Sequence, residues 1–161
     1  MKTTTMPLNA DLMSSLRAAA SEVADTYQID IGCEPEKVIE AINTHIRELQ
    51  KTPTADRDPW VDVSIPFGSL WGEQLIRDLG WQWVEAVFDD DVTNKAVGVA
   101  SPDRSLIIYP MHFVFGCIEN NAIVTILLAY NAIKSGDRIP DIPPDSHVNV
   151  MERVHHIVPP D

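Results

Sequence analysis

The chain has 161 residues, 45% of them hydrophobic, which is enough for one domain with its own core and too apolar for a disordered segment. Against 24 acidic residues stand 12 basic ones, a formal charge of −12. That balance argues against nucleic-acid binding and against docking on an anionic membrane surface, and it favours a cationic partner such as a basic protein.

Residues 8–28 are predicted to form an amphipathic helix, because Leu12, Leu16, Ala19 or Ala20, Val23 and Tyr27 recur at three- and four-residue steps behind Asn9, a suitable N-cap. A connection containing Gly32 leads to a second helix over 35–51. Pro35 stands at its first position, and Val38, Ile39, Ile42, Ile46 and Leu49 form one stripe. The two are expected to pair as an antiparallel helical hairpin. Residues 52–62 hold Pro53, Pro59 and mixed charges and read as a loop.

A third helix is expected over 67–79, stopped by Gly80. Gly68 and Gly72 share one of its faces, where they permit close approach of a neighbour. Residues 81–88, 95–100 and 105–109 read as three short strands of an antiparallel meander, separated by Asp89-Asp90-Asp91 and by Ser101-Pro102-Asp103-Arg104. In the second of these strands Val97 and Val99 face one way and Ala96, Gly98 and Ala100 the other.

Pro110 opens a short helix to about residue 119. Asn120 or Asn121 caps another, to about residue 135, that is apolar around most of its circumference and is expected at the centre of the fold. Residues 137–161 contain Pro140, Pro143, Pro144, Pro159 and Pro160 together with several valines, and are expected to form an extended arm lying on the domain or on a second copy of the chain. The fold class is therefore α+β: a domain over 1–136 with a helical hairpin and a meander packed on helices, then a Pro-rich arm over 137–161.

Cys33 and Cys117 are far apart, form no CxxC, and read as reduced core residues. The N-terminal residues lack the apolar run of a signal peptide, and no stretch is long and apolar enough to span a membrane, so a cytoplasmic protein is expected. Among the histidines, His155 and His156 are adjacent and point apart in an extended segment, and neither HxxxH nor HExxH occurs, so no metal site and no cofactor are expected. Walker A, GxGxxG and GxSxG patterns do not occur either.

Three clusters remain as candidates. Glu73 stands in an apolar helix next to Trp71 and Gly72, where a carboxylate needs a partner; Arg77, four residues on, is one. Trp81 and Trp83 share a strand face with Glu85, close to Asp89, Asp90 and Asp91, a combination that suits a recognition surface. Glu73, Tyr109 and His112 would together line a pocket if the 67–79 helix lies against the meander.

Trp71-Gly72-Glu73, Gly80, Trp83-Val84, Tyr109-Pro110 and Val114 resemble the pattern of a small uncharacterised bacterial domain family, over about residues 60–135. The resemblance implies an α/β domain seen around loci that include toxin–immunity cassettes, and it supplies no catalytic residues. Phe115-Gly116-Cys117 stand where that pattern tends to carry a basic residue.

Three functional readings follow. The first is a non-enzymatic, immunity-type or regulatory protein that engages a basic partner, such as a toxin, through an acidic face bearing Glu73, Trp81, Trp83, Glu85 and Asp89, Asp90 and Asp91. The second is a small-molecule-binding domain or enzyme with a pocket at Glu73, Tyr109 and His112. The third is a homodimer joined by exchanged 137–161 arms.

Overall fold

A computed structural model describes residues 2–57, 62–136 and 141–154. The architecture is α+β, as the sequence predicts. In chain order it runs β1 (Thr3–Pro7), α1 (Ala10–Thr26), α2 (Pro35–Lys51), α3 (Ser64–Leu79), β2 (Gln82–Phe88), β3 (Asp91–Ala100), β4 (Leu106–Ile108), α4 (Pro110–Asn120), α5 (Ile126–Ser135), β5 (Val148–Asn149) and α6 (Val150–Val154).

The local signals act where they were read. Asn9 caps α1, its side-chain oxygen accepting from the Asp11 and Leu12 amides. Pro35 and Pro110 open α2 and α4, and Gly80 ends α3 in the left-handed conformation at φ 69°. Beyond these local signals, tertiary packing departs from expectation in three ways.

First, α1 and α2 do not find their main partner in each other. Each packs chiefly on α3, and Tyr27 and His45 both bring their rings to Phe67 of that helix. Second, α3 and not the later helix is the centre of the molecule. Phe67, Leu70, Trp71 and Leu75 are fully buried, and α1, α2, α4 and the sheet all lean on it. The chain after α4 turns at Asn121, in left-handed conformation, and α5 begins only at Ile126.

Third, the meander is the middle of a five-stranded mixed sheet in the order β1-β2-β3-β4-β5. Strand β1 adds antiparallel to β2, with Thr5 opposite Ala86, and β5 adds parallel to β4. The segment expected as an extended arm thus returns over 141–154 to its own domain as β5 and the short helix α6, burying Val150 and Met151. Residues 137–140 and 155–161 of that arm, His155 and His156 among them, lie outside the described residues.

The sheet has two unlike faces. One carries Trp83, Val99 and Ile108 into the core shared with the helices. The other gathers Val84, Ala86, Ala100 and Ile107 into a second, smaller core bordered by Phe88 and Tyr109. This second face is concave. Laid flat, β1 and the segment leading into β5 would be four strand spacings apart, about 19 Å. Instead Thr5 Oγ1 lies 3.2 Å from Nε2 of His147, just ahead of β5, so the sheet curls until its edges touch. The curl depends on small side chains inside it. A Cβ on Gly98 would come within 2.9 Å of the Ile108 carbonyl oxygen.

Candidate functional site

The small residues that let the sheet curl leave its mouth open. At that end, Phe88 closes β2, Asn94, Lys95 and Ala96 lie at the start of β3, Tyr109 and His112 lead into α4, and Asn149 and Glu152 come from β5 and α6. Together with Phe113 and Met151 they line a cleft of about 890 Å³. An adjoining hollow of about 450 Å³ shares Phe88, Tyr109, Asn149 and Glu152 with it and is edged by Thr3, Ser146 and His147. The combined space falls at the mouth of a partly closed barrel, where small-molecule sites recur.

The Tyr-Pro step builds one wall. Pro110 fixes the first helical residue of α4, which leaves Tyr109 as N-cap and brings His112 three positions on; their rings meet edge to face with centroids 6.5 Å apart. The Phe88 ring lies 6.0 Å from that of Tyr109 and tilted to it, and both rings line the cleft. Burial, reinforced by the negative charge of Glu152, pushes the Tyr109 phenol up to about 12. Tyr109 therefore keeps its proton at neutral pH and offers a donor to the cleft. Lys95 is held by Glu85 at 3.7 Å. Glu152 has no ion pair or hydrogen bond among the described residues.

Only two members of the pocket expected from sequence sit together. Tyr109 and His112 line the cleft, whereas Glu73 faces a separate hollow of about 350 Å³ with Arg17, Gln74 and Arg77. Glu73 also has a different partner from the one its helix suggested. Its Oε1 accepts from Arg17 Nε of α1 at 3.2 Å and from Trp83 Nε1 at 3.1 Å. Arg77 instead donates to the carbonyls of Ile31 and Cys33, pinning the α1–α2 connection to α3. Glu73 is thus the polar anchor of a buried tryptophan.

The acidic, tryptophan-bearing face is corrected by the same packing. Trp81 and Trp83 are 6% and 1% exposed and lie in the helix-side core. Gly72 makes the slot for the second of them, since a Cβ there would fall inside the Trp83 indole. Alternation placed Trp83 and Glu85 on one face correctly, but α3 covers that face at Trp83 and leaves it at Glu85. Asp89 and Asp90 form the two-residue β2–β3 turn, at φ 53° and 57°. They are tied to Lys2, whose amide donates to Asp89 Oδ1 at 2.8 Å and whose ammonium lies 2.9 Å from Asp90 Oδ2. Asp91 accepts from the Thr93 amide and hydroxyl, which hold its carboxyl below the usual range.

Cys117 is buried, and burial pushes its thiol up to about 11, an inert core cysteine. Among the described residues, no group of three or more His, Cys, Asp or Glu side chains is arranged to hold a metal ion, and no helix is long and apolar enough to cross a membrane. Sequence reasoning missed Phe88, Lys95, Asn149, Glu152 and His147 as cleft residues. Their meeting depends on the curl and on β5, and the one signal for it was the small-residue row Ala96, Gly98, Ala100. No protein-family model, no curated protein and no solved structure matches the chain.

Proposed function

We propose that this protein binds a small, partly apolar molecule in the cleft at the mouth of its curled sheet. The observation that carries the reading is the convergence of Tyr109, His112, Asn149 and Glu152 on a largely apolar space of about 890 Å³. That volume lies within the range of pockets that enclose metabolite- or drug-sized ligands. The reading keeps the Tyr109–His112 half of the pocket expected from sequence and drops Glu73.

The test is a fragment library screened against the whole chain by thermal shift and by NMR chemical-shift mapping. The reading expects hits whose perturbed resonances cluster on 88, 94–96, 109–113 and 149–152. Filling the cleft with Ala96→Trp should abolish them. Hits that map elsewhere and survive Ala96→Trp would refute it.

A second reading rests on a separate observation. The β2–β3 turn presents Asp89, Asp90 and Asp91 beside Val92, which is 74% exposed, on a chain of formal charge −12. An acidic tip with an apolar residue suits a basic partner protein, and the resemblance to a bacterial family around immunity loci points the same way. In this form the contact surface is the hairpin tip without Trp81 and Trp83. Capture of one basic protein at low salt, lost in an Asp89→Asn, Asp90→Asn double variant, would support it; capture unaffected by those changes would remove the tip.

A further inference from the structure

The charge inventory of the cleft narrows the class of ligand, on the reading that the cleft is a binding site. Lys95 and Glu152 are the full charges among its described lining residues, beside the imidazoles of His112 and His147. Lys95 is already compensated, its ammonium facing Glu85 across β2 and β3. Glu152 has no counter-ion among the described residues, and it borders both the main cleft and the adjoining hollow. Among the described residues, the cleft therefore carries one negative charge without a counter-ion, where its two spaces adjoin.

That charge sits beside aromatic faces. Phe88 and Tyr109 border the same two spaces as Glu152, and Phe113 joins the main cleft. Aromatic faces carry negative electrostatic potential, so a carboxylate and two or three rings attract the same kind of group. The field of the whole molecule, at −12, adds to this by concentrating cations and excluding anions. An anionic ligand would meet the Glu152 carboxylate, the aromatic rings and the global field, and the one full positive charge among the described lining residues is a lysine already engaged by Glu85.

We infer that the cleft selects an organic cation: an amine or quaternary ammonium on an apolar or aromatic body, its charge beside Glu152 and its body against Phe88, Tyr109 and Phe113. The Tyr109 hydroxyl supplies a donor for a neutral acceptor on the same ligand.

The experiment uses the whole chain and two probes of similar apolar body and opposite charge, benzyltrimethylammonium and 3-phenylpropionate, titrated by NMR and calorimetry. The cation should bind at least about tenfold more tightly than the anion, with shifts at 88, 109 and 152. Glu152→Gln, an exposed position whose variant should melt with the wild type, should remove most of that preference. Lys95→Met should preserve or increase it. Equal or better binding of the anion, or a cation preference unchanged in Glu152→Gln, overturns the cation assignment while leaving the cleft as a binding site. Binding of neither probe also overturns it, and the fragment screen then decides separately whether the cleft binds anything.

Discussion

The two faces of one sheet have been put to opposite uses by the size of their side chains. On the helix side, Trp83, Val99 and Ile108 project large groups into the core shared with the helices. On the concave side, Ala86, Ala96, Gly98 and Ala100 project almost nothing, so the sheet bends around a small core and leaves a cleft at its end. Bulk on one face anchors the strands, and its absence on the other leaves the cleft open.

The sharpest way to break this contrast is to hollow out the packed face. Trp83→Ala removes a fully buried indole and leaves Glu73 without its Nε1 donor, so unfolding free energy should fall by about 3–5 kcal/mol, measured by urea denaturation. The same change should leave the cleft residues unaltered in whatever fraction remains folded.

The packed side also carries a pH dependence. The Tyr130 hydroxyl donates to Asp78, and Lys134 lies 3.3 Å from the same carboxylate. The hydrogen bond from Tyr130, and then Lys134, hold the Asp78 carboxyl below its usual value of 3.8. A carboxyl depressed in the folded state contributes stability that is fully present above the unfolded pKa, and it loses that contribution as pH falls from about 4 through the folded value. Tyr130→Phe should therefore cost about 1.5–3 kcal/mol at pH 7, and less at pH 2–3, which paired denaturation curves at the two pH values will show.

Filling the concave side tests the other half of the comparison. Gly98→Val places side-chain atoms against the Ile108 carbonyl and the Ile107 side chain and should destabilise by about 1–3 kcal/mol. The same variant should also flatten the curl, so ligand shifts at the cleft weaken more than stability alone accounts for. Thr5→Val removes the hydrogen bond to His147 at about 1 kcal/mol, with faster hydrogen exchange at β1 and β5 as the readout. Lys2→Ala, which breaks an exposed pair with Asp90, should change the melting free energy by about 0.5 kcal/mol or less.

What could be read in the sequence was what neighbours in the chain decide. Asn9, Pro35, Gly80 and Pro110 act on the residues next to them, and each helix or strand boundary they mark stands close to where it was expected. The alternation of β3 also gave its two faces, because side-chain direction there follows from position alone. What was not legible depended on partners far along the chain. Residues 3–7 have threonines suited to a strand but no apolar alternation, and their partner β2 begins 75 residues after them. Glu73 had Arg77 one turn away, yet α1 crosses α3 so that Arg17 arrives first. Trp83 and Glu85 were rightly put on one side of β2, but where α3 ends its cover cannot be counted off from the strand.

The contact between Thr5 and His147 joins residues 142 positions apart, and it carries a consequence for how the molecule folds. Helices and the β2–β3 hairpin close short loops and need little of the chain to be in place. The meeting of the sheet edges needs nearly all of it, so it belongs to the late, slow part of folding. A ligand seated across Phe88, Tyr109 and Glu152 touches both sides of that last closure. Occupancy and completion of the fold would then be coupled equilibria: a saturating ligand should raise the melting temperature, and any change that loosens the edge contact should weaken binding.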